Sequence, residues 1–518
     1  MHDALAEGGD YLILLDLVDA DGWPAVELPA LADTGLYREL LTAVAEGARA
    51  AGLSGLVLRG HPPPVDRHLH WSSITPDPAV IEANLAPAAD LVELFRVNQA
   101  LFAAAADCGL TPYRLHYNGR ESDSGGGGQI TIGGPTPEAS PFFQEPRLLP
   151  RLIRYFNHHP ALSYWLAPES IGSGSQAPRP DEGPRERWLE LEIALEQLAR
   201  CAVPDPGLLW ASLAPFLADS AGNSHRSELN IEKLWNPHLG ARGLLGLVEL
   251  RPFRMAPDAA TFAAEAALLR AIVARLMLHP FDHPLVDWGD QLHSRFALPH
   301  HLIMDLHAVL DDLAAHGLGL NEPLSRLLLD DSRREIGHLL WRGVCVRVLS
   351  ALEFWPLIGD VTAQQPSDSR LVDASTSRIE LSLSAEPGCS LEGWELRVNG
   401  FASPLQADPD GAPMRLTGIR YRSFVPSTGL HPNLPALDRV ELILAPPSAE
   451  QALRLVLFEW RPQGGGYPGL PKHREEARQR RDERLLVTEV AIASLPPPVQ
   501  APAEAPAACC FDLRRALI

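Results

Sequence analysis

The 518-residue chain carries 44 Lys and Arg against 65 Asp and Glu, a net charge of −21; such a field excludes a general affinity for nucleic acid or an anionic membrane while leaving room for a local basic pocket. A 46% hydrophobic and 21% charged composition is that of a globular protein long enough for two or three domains. No apolar run reaches the roughly 20 residues needed to span a bilayer, no leader pattern is visible, and the six cysteines are scattered without CxxC spacing, so the sequence predicts a cytoplasmic protein with neither a zinc site nor a disulfide framework.

Residues 11–18 (YLILLDLV) predict a first strand, residues 35–51 a helix stopped by Gly52, and residues 56–59 a second strand. Its exit, HPPP, cannot continue a ladder because proline lacks the N–H. In residues 71–87 (WSSITPDPAVIEANLAP), two alternating runs flank Pro76-Asp77-Pro78, which predicts a hairpin or bulged strand pair. Alternation places Val80, Glu82 and Asn84 on one face and Ile81, Ala83 and Leu85 on the other, with the apolar face expected to be buried. Residues 89–108 predict a helix, with Asp90 placed to cap it and Gly109 to end it.

Next come four glycines, 125–128, that leave the backbone free to approach an anion; Gln129 opens an alternating run with Thr131 on its face. Residues 146–166 are helical in pattern, and Arg179 follows between two prolines, a stiff presentation that suits a phosphate or carboxylate as well as a surface position. Residues 187–200 predict an amphipathic helix with a solvated acidic face. The segment 221–235 (AGNSHRSELNIEKLW) is dense in polar groups, including Arg226, and alternation over 228–233 puts Glu228, Asn230 and Glu232 on one face. In 246–251 (GLVELR) the same period puts Glu249 and Arg251 together. Residues 259–278, 291–314 and 324–348 read as mostly helical. The predicted organisation is a domain over 1–355, a linker at 356–369, a β-rich domain over 370–461, and a polar, Pro/Ala-rich and partly disordered tail over 462–518 that contains Cys509 and Cys510.

Strand-borne Glu82 and Glu249, with Gln129 and Glu228 between them in sequence and arginines near glycine loops, form a constellation suited to Mg²⁺ and nucleotide phosphates. Mg²⁺ takes one or two carboxylates plus phosphate oxygens, and arginines neutralise the charge that phosphoryl transfer develops. No pairing of a Ser or Cys nucleophile with a base stands out.

The HPPP turn together with TPDPAVIEANLAP, GGGGQITIGG, SQAPRPDE, GNSHRSELNIEKLW, GLVELRPFRMAP and FWPLIGD, in this order over about residues 10 to 460, resembles a bacterial domain family described as amidoligases and usually fused behind a transglutaminase-like domain. More distantly the pattern is similar to the glutamine synthetase and glutamate–cysteine ligase superfamily. That resemblance implies an α+β fold with a glutamine synthetase-like antiparallel sheet, to which the β-rich domain is appended. It implies ATP and Mg²⁺ as cofactors and a carboxylate–amine ligase that works through an acyl-phosphate. Glu82, Glu249 and Glu228 would then hold metal, Gly126, Gly127, Gly128 and Gln129 would face nucleotide, and Arg251, Arg226 and Arg179 would stabilise phosphate charge. Partners would be a small-molecule or peptide carboxylate and an amine. The alternative is a catalytically degenerate binding module that partners a transglutaminase-like protein or peptide.

Overall fold

A computed structural model describes residues 11–17, 22–31, 33–64, 72–77, 80–124, 127–167, 169–201, 205–358, 371–408, 413–424, 429–501 and 509–518. Helices and strands are both abundant and the sheets are antiparallel or mixed, so the fold is α+β. The chain forms two compact units, Met1–Ala88 and Ala89–Ile518.

In the first unit, β1 (Leu14–Asp16) pairs antiparallel with β2 (Ala25–Leu28), which pairs parallel with β3 (Val57–Gly60) across a crossover made by helix α1 (Thr34–Ala50). Asp33 caps α1 by accepting from Leu36 N at 2.8 Å, which satisfies one of the N–H groups a helix start leaves orphaned. The expected hairpin is present as β4 (Ser73–Asp77) and β5 (Val80–Asn84), with Glu82 opposite Thr75; the connecting residues 78–79 lie outside the described residues. The expectation of a buried apolar face fails: Ile74 is 70% and Ile81 53% exposed. Among the described residues the sheet has these two strands alone, and a two-stranded pair offers little surface against which to bury that face.

The second unit opens with helix α2 (Leu91–Asp107), capped by Asp90, whose side chain accepts from Glu93 N. A hairpin of β6 (Tyr113–Leu115) and β7 (Glu121–Asp123) follows, then β8 (Ile130–Ile132), α3 (Leu148–His158), β9 (Ser170–Ile171) and α4 (Arg185–Arg200). Strands β10 (Leu229–Asn230) and β11 (Val248–Leu250) join β8 in a three-stranded antiparallel sheet, order β10-β11-β8. Helices α5 (Ala259–Leu278) and α6 (Pro299–Ala315) complete the element set that buries Leu152, Phe156, Leu229, Leu250, Leu268 and Leu302 in one core.

The remainder is a β-sandwich. Strands β12 (Glu335–Trp341), β13 (Val344–Ser350), β14 (Glu353–Phe354), β15 (Thr376–Ala385), β16 (Glu395–Val398), β17 (Phe401–Ser403), β18 (Gln406–Ala407), β19 (Met414–Arg422), β20 (Arg439–Ala445) and β21 (Gln451–Phe458) precede helix α7 (Arg474–Arg484). After it come β22 (Leu485–Ala491), β23 (Val499–Gln500) and β24 (Cys510–Asp512). One sheet runs β12-β13-β15-β19-β18 with β24 parallel to β19; the other runs β22-β21-β20-β16-β17-β23. Alternate residues of both sheets, Val346 and Leu381 from one and Leu442 and Leu455 from the other, share a second core. Strand β14 pairs parallel with β9 and so ties the sandwich to the helical part.

Three expectations are corrected. Residues 335–350 are a hairpin, not helix: Arg342 and Gly343 both take positive φ (53° and 72°), the two-residue turn that matches strand twist. The segment 462–518 is not simply a tail: α7 and β22 lie within it, and Cys510 sits in β24 with its Sγ 3.4 Å from Ser294 O. The acidic face of α4 is partly used, since Glu192 accepts from Arg154 Nη1 at 2.9 Å and from Leu285 N at 2.7 Å.

Helix α5 holds an acid in the core. Glu265 is fully buried, neither carboxylate oxygen has a hydrogen-bond partner among the described residues, and burial, opposed by Arg254, pushes its pKa up to about 8. A carboxylate whose folded pKa is raised contributes stability that is fully present below the unfolded pKa and is lost as pH rises through the folded one. Urea unfolding from pH 5 to pH 9 should therefore show falling stability, and Glu265→Gln should flatten the slope, with a difference on the order of 3 kcal/mol between those limits. An unchanged slope in the variant would show that this group does not titrate in the folded protein.

Candidate active site

The sheet β10-β11-β8 has one apolar and one polar face. Val248, Leu250, Leu229 and Ile130 point into the core. The register sets Glu249 opposite both Asn230 and Thr131, and Arg251 N donates to Glu228 O at 2.9 Å, so the ladder continues past the assigned strand ends. By the two-residue period, Glu228, Asn230, Glu249 and Arg251 therefore belong to the polar side. Arg251 Nη1 donates to Glu249 Oε1, and Lys233 Nζ lies 3.8 Å from Glu249 Oε2. Arg251 Nε is buried with no partner among the described residues, an orphaned donor that an oxyanion would satisfy. The alternation expected over 228–233 extends only through Asn230, because Glu232 N turns back to Asn230 Oδ1 at 2.8 Å and the chain leaves the sheet.

Glu228 belongs to a buried network. Ser163 Oγ donates to its Oε2 at 2.5 Å, and Arg179 Nη1 is 3.9 Å away. Arg179, with its side chain fully enclosed, donates from Nε and Nη2 to the two oxygens of Asp181 at 2.8 and 2.7 Å and from Nη1 to Ser163 Oγ at 3.0 Å. Tyr164 Oη donates to Glu182 alongside. Burial pushes the Glu228 carboxyl up to about 7, with Arg179 opposing, while the two carboxylates hold Arg179 above its ordinary range. In the described structure the guanidinium of Arg179 is an internal tie between its loop and α3.

Gly127 and Gly128 both take positive φ, and a Cβ on Gly128 would sit 2.1 Å from Arg254 O. The glycine run is thus pressed against the exit of β11, and Gln129 is half-buried immediately before β8. Gly126 lies outside the described residues. Arg226 is half-buried in the loop before β10, its N donating to Asn223 O at 3.1 Å. Glu82 belongs to the first unit, exposed, and accepts from Asn84 Nδ2 at 2.9 Å. The structure thus brings Glu249, Arg251 and Glu228 to one small sheet, with Gly127, Gly128 and Gln129 leading into it. Among the described residues, no three His, Cys, Asp or Glu side chains form a group that could hold a metal by themselves.

Sequence reading missed a cleft between the helical part and the sandwich. Asn118, Arg120 and Glu121, from the chain leading to the glycine run, line one side; Arg333, Arg334 and Arg378 line the other. Arg254 N donates to Leu166 O at 2.9 Å, and Trp165 O accepts from Arg333 Nη2 at 3.2 Å and Arg334 Nη2 at 3.1 Å, so one short strap links the exit of β11 to the cleft. The adjacent arginines 333 and 334 were a signal hidden by the helical reading of 324–348.

The model of one protein family, described as "Putative amidoligase enzyme (DUF2126)", matches residues 18–514. No curated protein and no solved structure matches the chain. No helix among the described residues is long and apolar enough to cross a membrane. The family's name denotes ligase-type chemistry on small-molecule or peptide substrates. With its match running through both the polar sheet and the sandwich, the chain belongs to this amidoligase family.

Proposed function

We propose that the protein is an ATP- and Mg²⁺-dependent carboxylate–amine ligase whose centre is the polar face of the β10-β11-β8 sheet. The observation that carries this reading is the pair Glu249 and Arg251 side by side on that face, with Arg251 Nε orphaned, in a chain of the amidoligase family. The donor set fits the ligand: hard carboxylate oxygens suit Mg²⁺, which needs only one or two of them when phosphates supply the rest. Glu249, with Glu228, would hold the metal; Gly126, Gly127, Gly128 and Gln129 would lie along the nucleotide. Bound MgATP would supply the phosphoryl group that turns the substrate carboxylate into an acyl-phosphate with release of ADP; the amine would then attack that carbonyl carbon, lose a proton and expel inorganic phosphate, leaving the amide. Arg251 places a guanidinium where charge develops on the phosphoryl oxygens. Arg226 offers a second cation beside the same sheet, and Arg179 acts from behind it by holding Glu228.

The absence of a self-sufficient three-ligand metal group among the described residues favours a second reading, a degenerate module that binds a transglutaminase-like protein or peptide without turnover. A thermal-shift titration separates the two. A ligand at about 100 times its Kd stabilises by about 2.7 kcal/mol, which moves the midpoint by a few degrees. The ligase reading expects MgATP to give that shift, EDTA to abolish it, and ADP to be released with a suitable carboxylate and amine. A folded protein that saturating MgATP leaves unshifted belongs to the second reading.

A further inference from the structure

The arginine cleft carries an inference that rests on the ligase reading and names its substrate. Six arginines and five glutamates line it. Every one of those glutamates already has an arginine partner: Glu121 with Arg474, Glu169 with Arg120, Glu335 with Arg347. Glu353 takes Arg378 and Arg420, and Glu459 takes Arg484. Arg333, Arg334 and Arg481 remain, and among the described residues none has a carboxylate within 4.0 Å. Among the described residues they donate to main-chain carbonyls, Arg333 to Trp165 O and Ala167 O, Arg334 to Trp165 O and Arg481 to Gly119 O, which satisfy N–H groups without neutralising charge. Arg334 is 5% exposed, lies over the Trp165 ring, and leaves its Nε with no partner.

A buried cation with no carboxylate in pairing distance is costly: burial and then Arg254 draw Arg334 down to about 9, with the more distant Glu169, Asp331 and Glu380 opposing. Three arginines without a paired carboxylate are therefore gathered in one concavity of a chain with a net charge of −21, and a cleft with low-dielectric walls focuses their local field on an incoming anion. Through Asn118 and Arg120 on one side and the Trp165–Arg334 bond on the other, the cleft borders the chain segments that frame the candidate sheet.

We propose that this cleft binds the acidic substrate of the ligase, a molecule or short peptide with two or more carboxylates, which Arg333, Arg334 and Arg481 recognise as a group. A polyphosphate shares the oxyanion chemistry, and the test separates the two sources.

The experiment is calorimetric titration of the full chain with triglutamate peptide, triglutamine peptide and inorganic tripolyphosphate at low and high salt. The expected result is binding of triglutamate and not triglutamine, weakened by salt as exposed charge pairs are screened. Arg333→Gln and Arg481→Gln, both at half-exposed positions, should each weaken it by about tenfold, as the loss of one charge-assisted contact does. Arg334→Gln should weaken it at least as much, with circular dichroism as its folding control. Loss of triglutamate binding at low salt, binding indifferent to Arg333 and Arg481, or tripolyphosphate binding with the same arginine dependence in place of triglutamate would each overturn the proposal. Glu249→Gln should leave triglutamate affinity unchanged. Arginine-dependent binding without any ADP release would thus count against the ligase reading and not against the cleft.

Discussion

Glu249→Gln should cut ADP formation by at least about 100-fold, the size of effect seen when one preorganised electrostatic group is removed from a site where charge develops. The substitution keeps the side chain's shape and length on β11, so the apolar faces of Val248 and Leu250 that hold the sheet to its core are untouched. What it removes is the negative charge between Arg251 and Lys233. Without it, a metal bound there under the proposed function would lose a carboxylate, and Arg251 is no longer held beside its neighbour by an ion pair. The melting midpoint without ligand should also fall, because the Arg251–Glu249 pair is only 15% exposed on either side and its loss leaves a largely buried cation unpaired, whereas the half-exposed Lys233 adds at most about 1 kcal/mol. Steady-state ADP release and the unliganded melting curve, measured on the same preparation, check both halves. Activity equal to the unsubstituted protein would remove Glu249 from the site altogether.

Arg179→Met should destabilise the protein by about 3–5 kcal/mol, the cost of breaking a buried ion pair from one side. Glu228 and Asp181, 1% and 4% exposed at their side chains, would be left without their shared counter-charge. The loss should depend on pH with a defined sign. Glu228 already has its pKa raised to about 7, and removal of Arg179, the main influence holding it down, would raise it further. A variant at pH 5 can keep the carboxyl protonated at little cost; at pH 8 it must ionise it in a dry site or hold a proton against the solvent. Urea unfolding should therefore show a larger deficit at pH 8 than at pH 5, and adding Glu228→Gln should recover part of it. A deficit equal at both pH values would mean that packing of the Arg179 stem, not its charge, is what the fold needs.

The features legible in the sequence are those set by near neighbours. Asp90 could be read as a cap because its partner is three residues away, and Glu249 and Arg251 could be placed on one face because a strand alternates whatever surrounds it. The α+β class, in contrast, was implied by the family resemblance that the longer motifs carry, and the mixture of helices and sheets agrees with it. Arg179 could be read either as a phosphate clamp or as a surface residue, because the residues that enclose it, Asn157, Ser163 and Glu228, come from distant parts of the chain. Alternation over 228–233 was a sound local inference, yet Asn230 accepts a bond from Glu232 N and bends the chain away after two strand residues. The hairpin at 335–350 was hidden because its turn, Arg342-Gly343, has only one of the residues that usually announce positive φ. The cleft was invisible for a different reason: an uncompensated arginine is defined by which carboxylates are missing from its surroundings, and spacing along the chain carries no such information.

The attachment of α7 to the β6-β7 hairpin bears on how the protein is made. Arg480 Nη1 donates to Tyr117 O across 363 residues, Arg481 Nη1 reaches Gly119 O, and Arg474 pairs with Glu121. Gly119, at positive φ, lets Ala477 O approach where any Cβ would collide with it. Contacts this far apart in sequence are slow to form, since closure entropy must be met before they contribute. During N-to-C synthesis the strand pair that leads into the glycine run must wait, without its docking surface, until residues 474–484 have left the ribosome. The candidate site is then completed last, and a nascent or C-terminally clipped chain should already hold its helical core while it still lacks a settled entrance to β8.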